Sequence, residues 1–151
     1  MPEALIACRK ALEIRKKLSD ENPDVHRYQS HLASSYIYLG KLLSKTEETT
    51  EALASHQKAV ETMEELARRN LGILDYQSKL AWSYISLAGF HQETGKMDEA
   101  LATLQEFIER RETLANQHPD NPSCRANLAG AHFSAGLWQE ALGMPAEAIA
   151  A

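Results

Sequence analysis

The chain has 151 residues, of which 44% are hydrophobic and 25% are charged, and its formal net charge is −5. These values are ordinary for a folded protein, and the scarcity of glycine and proline argues against long disordered or collagen-like stretches. The negative charge disfavours a non-specific binder of nucleic acid or of an anionic membrane, because both need a basic surface. No window holds 18 consecutive apolar residues, so no membrane-spanning helix is predicted.

Apolar residues at helical spacing predict a series of helices along the chain. We expect helices over residues 2–19, 24–46, 50–69, 73–94, 98–117 and 122–142, and residues 147–151 begin a seventh. Asp24 follows Pro23 and is the predicted N-cap of the second helix. Gly95 is the predicted terminator of the fourth helix, because glycine adopts the left-handed conformation most easily.

A three-residue motif returns at a constant interval along these helices. Each copy begins 48 residues after the one before it, and a fixed period of this size predicts a helical repeat. The copies are Glu3-Ala4-Leu5, Glu51-Ala52-Leu53, Glu99-Ala100-Leu101 and Glu147-Ala148-Ile149. A second pattern keeps the same period, since Tyr28-Gln29-Ser30 returns as Tyr76-Gln77-Ser78.

The period divides the chain into one repeat array. Residues 2–20 form the second helix of a unit, residues 24–70 and 73–118 form two full units, and residues 122–151 form a partial unit. Helix pairs of this kind bury their apolar faces by stacking on neighbours. We therefore expect the chain to be a fragment of a longer protein.

The helix pair around residues 76–101 resembles a tetratricopeptide repeat (TPR). The resemblance is carried by Tyr84, Leu87, Ala88, Gly95 and Ala100, and it returns in the other copies. The usual TPR period is about 34 residues, so this is similar to a lengthened variety. Such arrays occur in large bacterial signalling proteins, some with a kinase domain, and more distantly in kinesin light chains. HEAT repeats are the alternative fold.

The resemblance implies an all-α, right-handed helical-hairpin solenoid, the TPR superhelix, of about six helices plus a truncated seventh. It also implies a concave groove lined by the first helix of each pair, with Gly130 and Ser134 on it. The alternative is that Ile37, Ile85 and Phe133 pack between helices. Leu42, Phe90 and Trp138 are predicted core residues. The predicted partner-binding residues are Ser34, Ile37, Tyr38, Lys41, Trp82, Ile85, Ser86, Gly89, Phe133 and Leu137.

Two uses known in the family are disfavoured by this groove. A clamp for carboxylate termini needs several cations and asparagines, whereas the predicted groove has only Lys41. An asparagine ladder for peptide backbones is replaced by Ile37, Ile85 and Phe133.

Catalytic and metal-binding patterns are missing from the sequence. The six histidines are scattered and form no H-E-x-x-H motif, and neither a phosphate-binding loop nor a nucleophile turn occurs. We predict no enzyme activity, no cofactor and no metal. Cys8 and Cys124 are interpreted as small buried residues in a reducing compartment, which favours a cytoplasmic location.

The leading hypothesis is a protein–protein interaction scaffold that binds a peptide or a partner helix in the groove, within a larger bacterial regulatory protein. The first alternative is a structural spacer or self-association module without a dedicated ligand. The second is a small-molecule sensor that uses the same groove. The identity of the partner does not follow from the sequence.

Overall fold

The computed structural model describes residues 2–143 of the chain. Within them the backbone forms six α-helices and no strand, which confirms the prediction of an all-α helical repeat. The predicted seventh helix at residues 147–151 lies outside the described residues. The helices are α1 (Pro2–Glu21), α2 (His26–Leu43), α3 (Thr49–Arg69), α4 (Leu74–Glu93), α5 (Met97–Gln117) and α6 (Pro122–Ala141).

The 48-residue period sorts these helices into two types. The helices α2, α4 and α6 begin 48 residues apart, at His26, Leu74 and Pro122. We call them first-type helices. The helices α1, α3 and α5 carry the Glu-Ala-Leu motif near their start, and we call them second-type helices.

Residues Met1–Asn70 form one compact unit, in which α2 packs against both α1 and α3. Its core joins Leu32, Tyr36 and Ile37 of α2 to Ala59 of α3, and Leu12 of α1 packs against this cluster. Leu32 and Tyr36 are four positions apart, so they lie on one side of α2, and Ile37 follows Tyr36 directly.

Residues Leu71–Ala151 form a second compact unit, in which α5 packs against α4 and α6, and α4 also touches α6. Ala88, Ala100 and Ala135, one from each helix, share a buried cluster with Leu104. Small side chains at these points let the helix backbones approach closely, as the repeat pattern predicts.

The three predicted core residues at one repeat position differ in burial. Phe90 is buried, whereas Leu42 and Trp138 are half-buried. Trp138 packs against the alanine-rich cluster of the second unit.

First-type helices begin at one repeat position with nearly the same φ angle. Val25, Ile73 and Asn121 are the N-cap residues of α2, α4 and α6, and their φ angles are −91°, −91° and −92°. Only Asn121 caps with its side chain, whose Oδ1 accepts from Ser123 N at 2.9 Å. Asp24, the predicted cap of α2, stands one residue too early, and Val25 takes the N-cap position instead.

The end of α4 is the glycine-terminated turn that the sequence predicts. Gly95 has φ +74°, Gly95 N donates to Gln92 O, and Lys96 N donates to His91 O at 2.8 Å. This pair of bonds is the Schellman motif, which satisfies carbonyls left open at a helix end.

Candidate functional site

In the first unit the predicted contact residues divide between surface and core. Tyr38 is 64% exposed and Lys41 is also exposed, so both can meet a partner. Ser34 is half-buried and donates to Ser30 O at 3.1 Å. Ile37 is buried in the cluster with Tyr36 and Ala59, where it cannot contact a partner.

In the second unit the α4 positions are mostly covered. Ile85 and Ser86 are buried and Gly89 is half-buried, whereas Trp82 remains 46% exposed. The expectation that Ile85 and Ser86 face an open groove, like that for Ile37, is therefore corrected. The burial of Ile37 and Ile85 fits the alternative that the sequence left open, in which these two side chains pack between helices.

On α6 both predicted contact residues are exposed. Phe133 is 69% exposed and Leu137 is 51% exposed. They follow Gly130 by three and seven positions, so the three residues share one side of the helix. An apolar strip therefore runs along α6 beside Gly130.

A depression of about 100 Å³ lies between α4 and α6, next to this strip. Phe107 and Arg111 of α5 line it together with residues of the two first-type helices. The α4 and α6 residues that line it are Leu74, Gln77, Ser78, Ala81, Ala126, Asn127, Gly130, Ala131 and Ser134. Gly130 and Ser134 were placed on the groove by the sequence, whereas Gln77 and Arg111 were missed.

Arg111 is the charged group of this depression. It is only 3% exposed, it lines the depression from α5, and it already takes part in an interaction within the chain. A buried guanidinium is stable when carboxylates or other acceptors surround it, and it binds planar anionic groups well. The guanidinium therefore places a positive charge beside the depression.

The signal for Arg111 was present in the sequence. Arg111 stands four residues after Phe107 and three before Leu114, both of which are buried. This spacing places it on the buried side of α5. The 48-residue period leads to the same side, because the equivalent residue of α3 is the buried Met63.

Polar groups at the rim can add hydrogen bonds to a ligand. The rim includes the side chains of Ser78 and Ser134, both of which can donate or accept. Asn127 is held in place because its Nδ2 donates to Leu71 O at 3.1 Å. The arrangement combines a cation at the floor, hydroxyls at the rim and exposed apolar side chains alongside.

The histidines are dispersed over the two units. His56 and His91 are buried, whereas His132 is exposed. Burial lowers the pKa of His91, with Glu99 opposing the shift and Lys96 adding to it. Among residues 2–143 no three His, Cys, Asp or Glu side chains gather as metal ligands would. None of the helices described here combines the length and apolar character needed to cross a membrane.

The six described helices and their 48-residue period define a helical-repeat protein. Two family models, each described as tetratricopeptide repeat, match residues 32–74 and residues 79–151. The chain belongs to the tetratricopeptide repeat family. Repeats of this family generally mediate protein–protein interaction, and such domains are typically non-catalytic scaffolds. Comparisons with curated proteins and with solved structures gave no match.

Proposed function

We propose that the chain is a non-catalytic scaffold that binds a peptide or a partner helix on the α4–α6 surface. The observation that carries this proposal is the depression between α4 and α6, which the buried Arg111 helps to line and which has an exposed apolar strip beside it. Exposed apolar surface next to a concave site is a common feature of protein-binding surfaces.

The strip supplies the apolar anchors of the proposed contact. Trp82, Phe133 and Leu137 are large, exposed residues on the two helices that form the depression. Aromatic side chains of this kind dominate binding energy where a partner covers them. We expect bulky side chains of the partner to lie along this strip.

Arg111 adds selectivity to the proposed contact. A carboxylate that enters the depression lies close to this positive charge, and an opposite charge nearby stabilises the ionised carboxylate. The cation comes from α5, a second-type helix, whereas the clamp that the sequence disfavours would use first-type helices. The preferred peptide therefore combines bulky apolar residues with an acidic side chain.

The wider setting belongs to the same proposal. We place the module in a larger bacterial regulatory protein because its 48-residue period resembles that of such arrays. Cys8 and Cys124 are both free thiols, and this fits the cytoplasmic location that the sequence favours.

The test compares the double variant Trp82→Ala/Phe133→Ala with the wild type on an array of peptides. Peptides that pair apolar residues with an acidic one should lose at least tenfold in affinity, which is about 1.4 kcal/mol. The matched control is Val25→Ala/Met97→Ala, because both residues are exposed and lie outside the depression. Equal binding by all three proteins would rule out this surface.

A second variant separates the floor of the depression from the strip. Arg111→Met removes the charge, and Met63 shows that a second-type helix accepts methionine at this repeat position. We expect weaker binding of acidic peptides and unchanged binding of their amide analogues. The same loss for both sets would show that Arg111 acts through packing alone.

A further inference from the structure

Gly130 stands in the interior of α6, where the fold does not require a glycine. It lies well inside the ends of this helix at Pro122 and Ala141. Its φ is not positive, unlike that of Gly95, and a Cβ added at position 130 would meet nothing of the described chain within 4 Å. Glycine is less favourable than alanine in a helix interior. Neither the backbone conformation nor the packing of residues 2–143 therefore explains this glycine.

The repeat position of Gly130 carries side chains of different sizes in the other first-type helices. The equivalent residues are Ser34 of α2 and Trp82 of α4. Trp82 is 46% exposed, so even a large side chain fits at this position of a first-type helix. Of the three residues, Gly130 lines the depression between α4 and α6. The missing side chain therefore coincides with the depression.

Gly130 lies at the mouth of this depression. It is exposed, whereas Ala131 beside it is buried, and both residues line the depression. Ala126 and Ser134 also line it, and they stand four positions before and after Gly130. Residues four apart lie on one side of a helix, so the side of α6 that carries Gly130 faces the depression. A side chain at position 130 would therefore narrow the mouth.

The depression has room for one side chain of a partner. Its volume of about 100 Å³ equals that of about three water molecules, at about 30 Å³ each. Its walls come from α4, α5 and α6, and the buried Phe107 and the half-buried Ala81 supply apolar surface for the stem of a side chain. A helix is about 10 Å wide and cannot enter a space of this size. A partner can therefore insert a single side chain while its backbone stays outside.

The charge beside the depression favours a carboxylate on a long side chain. Arg111 takes part in an interaction within the chain and keeps its positive charge, because a guanidinium is not deprotonated in proteins. An opposite charge nearby stabilises an ionised carboxylate. Arg111 is buried, whereas Ser78 at the rim is exposed, so a carboxylate must pass the rim to come near the guanidinium. Glutamate is longer than aspartate by a methylene and reaches farther.

We propose that Gly130 is a specificity-determining residue, whose missing side chain admits one glutamate side chain of the partner to the depression. The inference rests on the proposed function, which places a peptide or a partner helix on the α4–α6 surface. It adds the identity of the inserted side chain and the residue that controls its entry. Arg111 stabilises the carboxylate of the glutamate, Phe107 and Ala81 contact its methylenes, and Gly130 leaves the mouth open.

This role is separate from that of the apolar strip. Trp82, Phe133 and Leu137 are exposed, and none of them lines the depression. Loss of the strip should weaken the binding of every peptide, because it removes contacts outside the depression. A closed mouth should weaken only the peptides that insert a glutamate. The two parts of the surface can therefore be tested separately.

The test closes the mouth and compares peptides that differ in a single residue. The peptides pair apolar residues with one glutamate, and matched copies carry aspartate, glutamine or alanine in its place. Acetylated and amidated ends exclude a terminal carboxylate as the bound group. The wild type should bind the glutamate peptides most tightly. Gly130→Leu should weaken their binding by at least about tenfold in calorimetric titrations and leave the binding of the alanine peptides unchanged.

Gly136→Leu is the matched control on the same helix. Gly136 is exposed, a Cβ added there would meet nothing within 4 Å, and it does not line the depression. This variant should bind every peptide as the wild type does. Leucine favours a helix more than glycine does, so neither substitution should lower the midpoint of urea denaturation. If Gly130→Leu does not fold, Gly130→Ala replaces it and should weaken the glutamate peptides alone, by a smaller factor.

The contrary results separate this inference from the proposed function. A wild type that binds none of the peptides overturns both. If the wild type binds glutamate, aspartate and alanine peptides equally, no glutamate side chain is recognised, although the surface still binds peptides. If Gly130→Leu binds the glutamate peptides as tightly as the wild type does, Gly130 does not control entry. An equal loss for glutamate and alanine peptides would show that the substitution disturbs the whole surface, which also overturns the inference.

Discussion

Gly40 of α2 lies directly against the imidazole of His56 of α3. A Cβ at position 40 would be 2.6 Å from His56 Nε2, and the ring is almost fully buried. Glycine is therefore needed here for close helix approach and not for backbone flexibility. We expect Gly40→Ala to lower the free energy of unfolding by about 1–3 kcal/mol, because the buried ring must shift.

The same repeat position in α6 supplies a control variant that should raise the free energy of unfolding instead of lowering it. Gly136 occupies the same position of α6, and a Cβ there would meet nothing within 4 Å. Alanine is favoured over glycine in a helix interior by about 1 kcal/mol, so Gly136→Ala should stabilise the chain. Urea denaturation of both variants at low protein concentration measures the difference. Equal effects would contradict the assignment of Gly40 to close packing.

The N-cap position of the first-type helices offers a second prediction. Ile73 has a backbone conformation close to that of Asn121, Val25 shares its φ angle, and neither makes a side-chain cap. Val25→Asn and Ile73→Asn should each raise the free energy of unfolding by about 1 kcal/mol, because the amide oxygen can satisfy an open backbone N–H. Asn121→Val should lose a similar amount. Thermal melting of the three variants checks this, and no gain at either transplanted cap would refute it.

The stack of Tyr84 on Phe107 gives a third prediction. Phe107 stands where the family pattern expects alanine and where α3 has Ala59. It is buried, and its ring lies at an interplanar angle of 24° to that of Tyr84. Phe107→Ala should therefore cost about 3–5 kcal/mol, although it restores the residue typical of the family.

A double-mutant cycle isolates the stacking energy from this loss. The variants Tyr84→Leu, Phe107→Leu and their combination keep an apolar side chain at both positions. Their coupling energy in denaturation experiments should be about 0.5–1.5 kcal/mol. A coupling near zero would mean that Phe107 contributes only buried area.

The burial of His91 predicts a dependence of stability on pH. Burial lowers its pKa below the ordinary value of 6.5 in the folded chain, opposed by Glu99 and helped by Lys96. The unfolded chain therefore takes up a proton first as the pH falls. The contribution of His91 to the free energy of unfolding is fully present above pH 6.5. It is lost as the pH falls from there through the pKa of His91 in the folded chain.

Replacing His91 should reduce the loss of stability that occurs as the pH falls below 6.5. Leu43 is the buried equivalent in α2, so His91→Leu keeps an apolar contact at the same repeat position. Denaturation curves from about pH 7.5 to about pH 5 should show a smaller loss for the variant. The exposed His132→Leu is the matched control. Parallel profiles for the wild type and His91→Leu would exclude His91 as the source.

The helices could be predicted from the sequence because apolar spacing and glycine terminators act locally. Gly95 ends α4 as expected, and the predicted helix ends lie within about three residues of the observed ones. The predicted N-cap of α2 was wrong by one residue. Asp24 has a side chain that can cap a helix, but it stands one residue before the N-cap position. Val25 occupies that position, and valine is not a residue from which an N-cap would be predicted.

The candidate site was less predictable because it depends on contacts between helices. Helical spacing placed Ile37 and Ile85 on the groove side, but it could not show that neighbouring helices cover them. Phe133, at the same repeat position, remains open. Arg111 was overlooked because an arginine is usually assigned to the solvated side of a helix, although its spacing from Phe107 placed it inside.

The two hairpins differ in the turn that joins their helices, and this difference shows where the chain can be engineered. In the α4–α5 connection, Gly95 and two backbone bonds fix the turn, so extra residues there would break it. The α2–α3 connection, residues 44–48, also has backbone bonds, since Lys45 N donates to Leu42 O and Thr46 N donates to Leu43 O, but it has no glycine and Glu47 beyond these bonds is exposed. Lengthening a surface loop costs little entropy. A tag or a binding sequence can therefore be inserted between α2 and α3 while both helices remain folded.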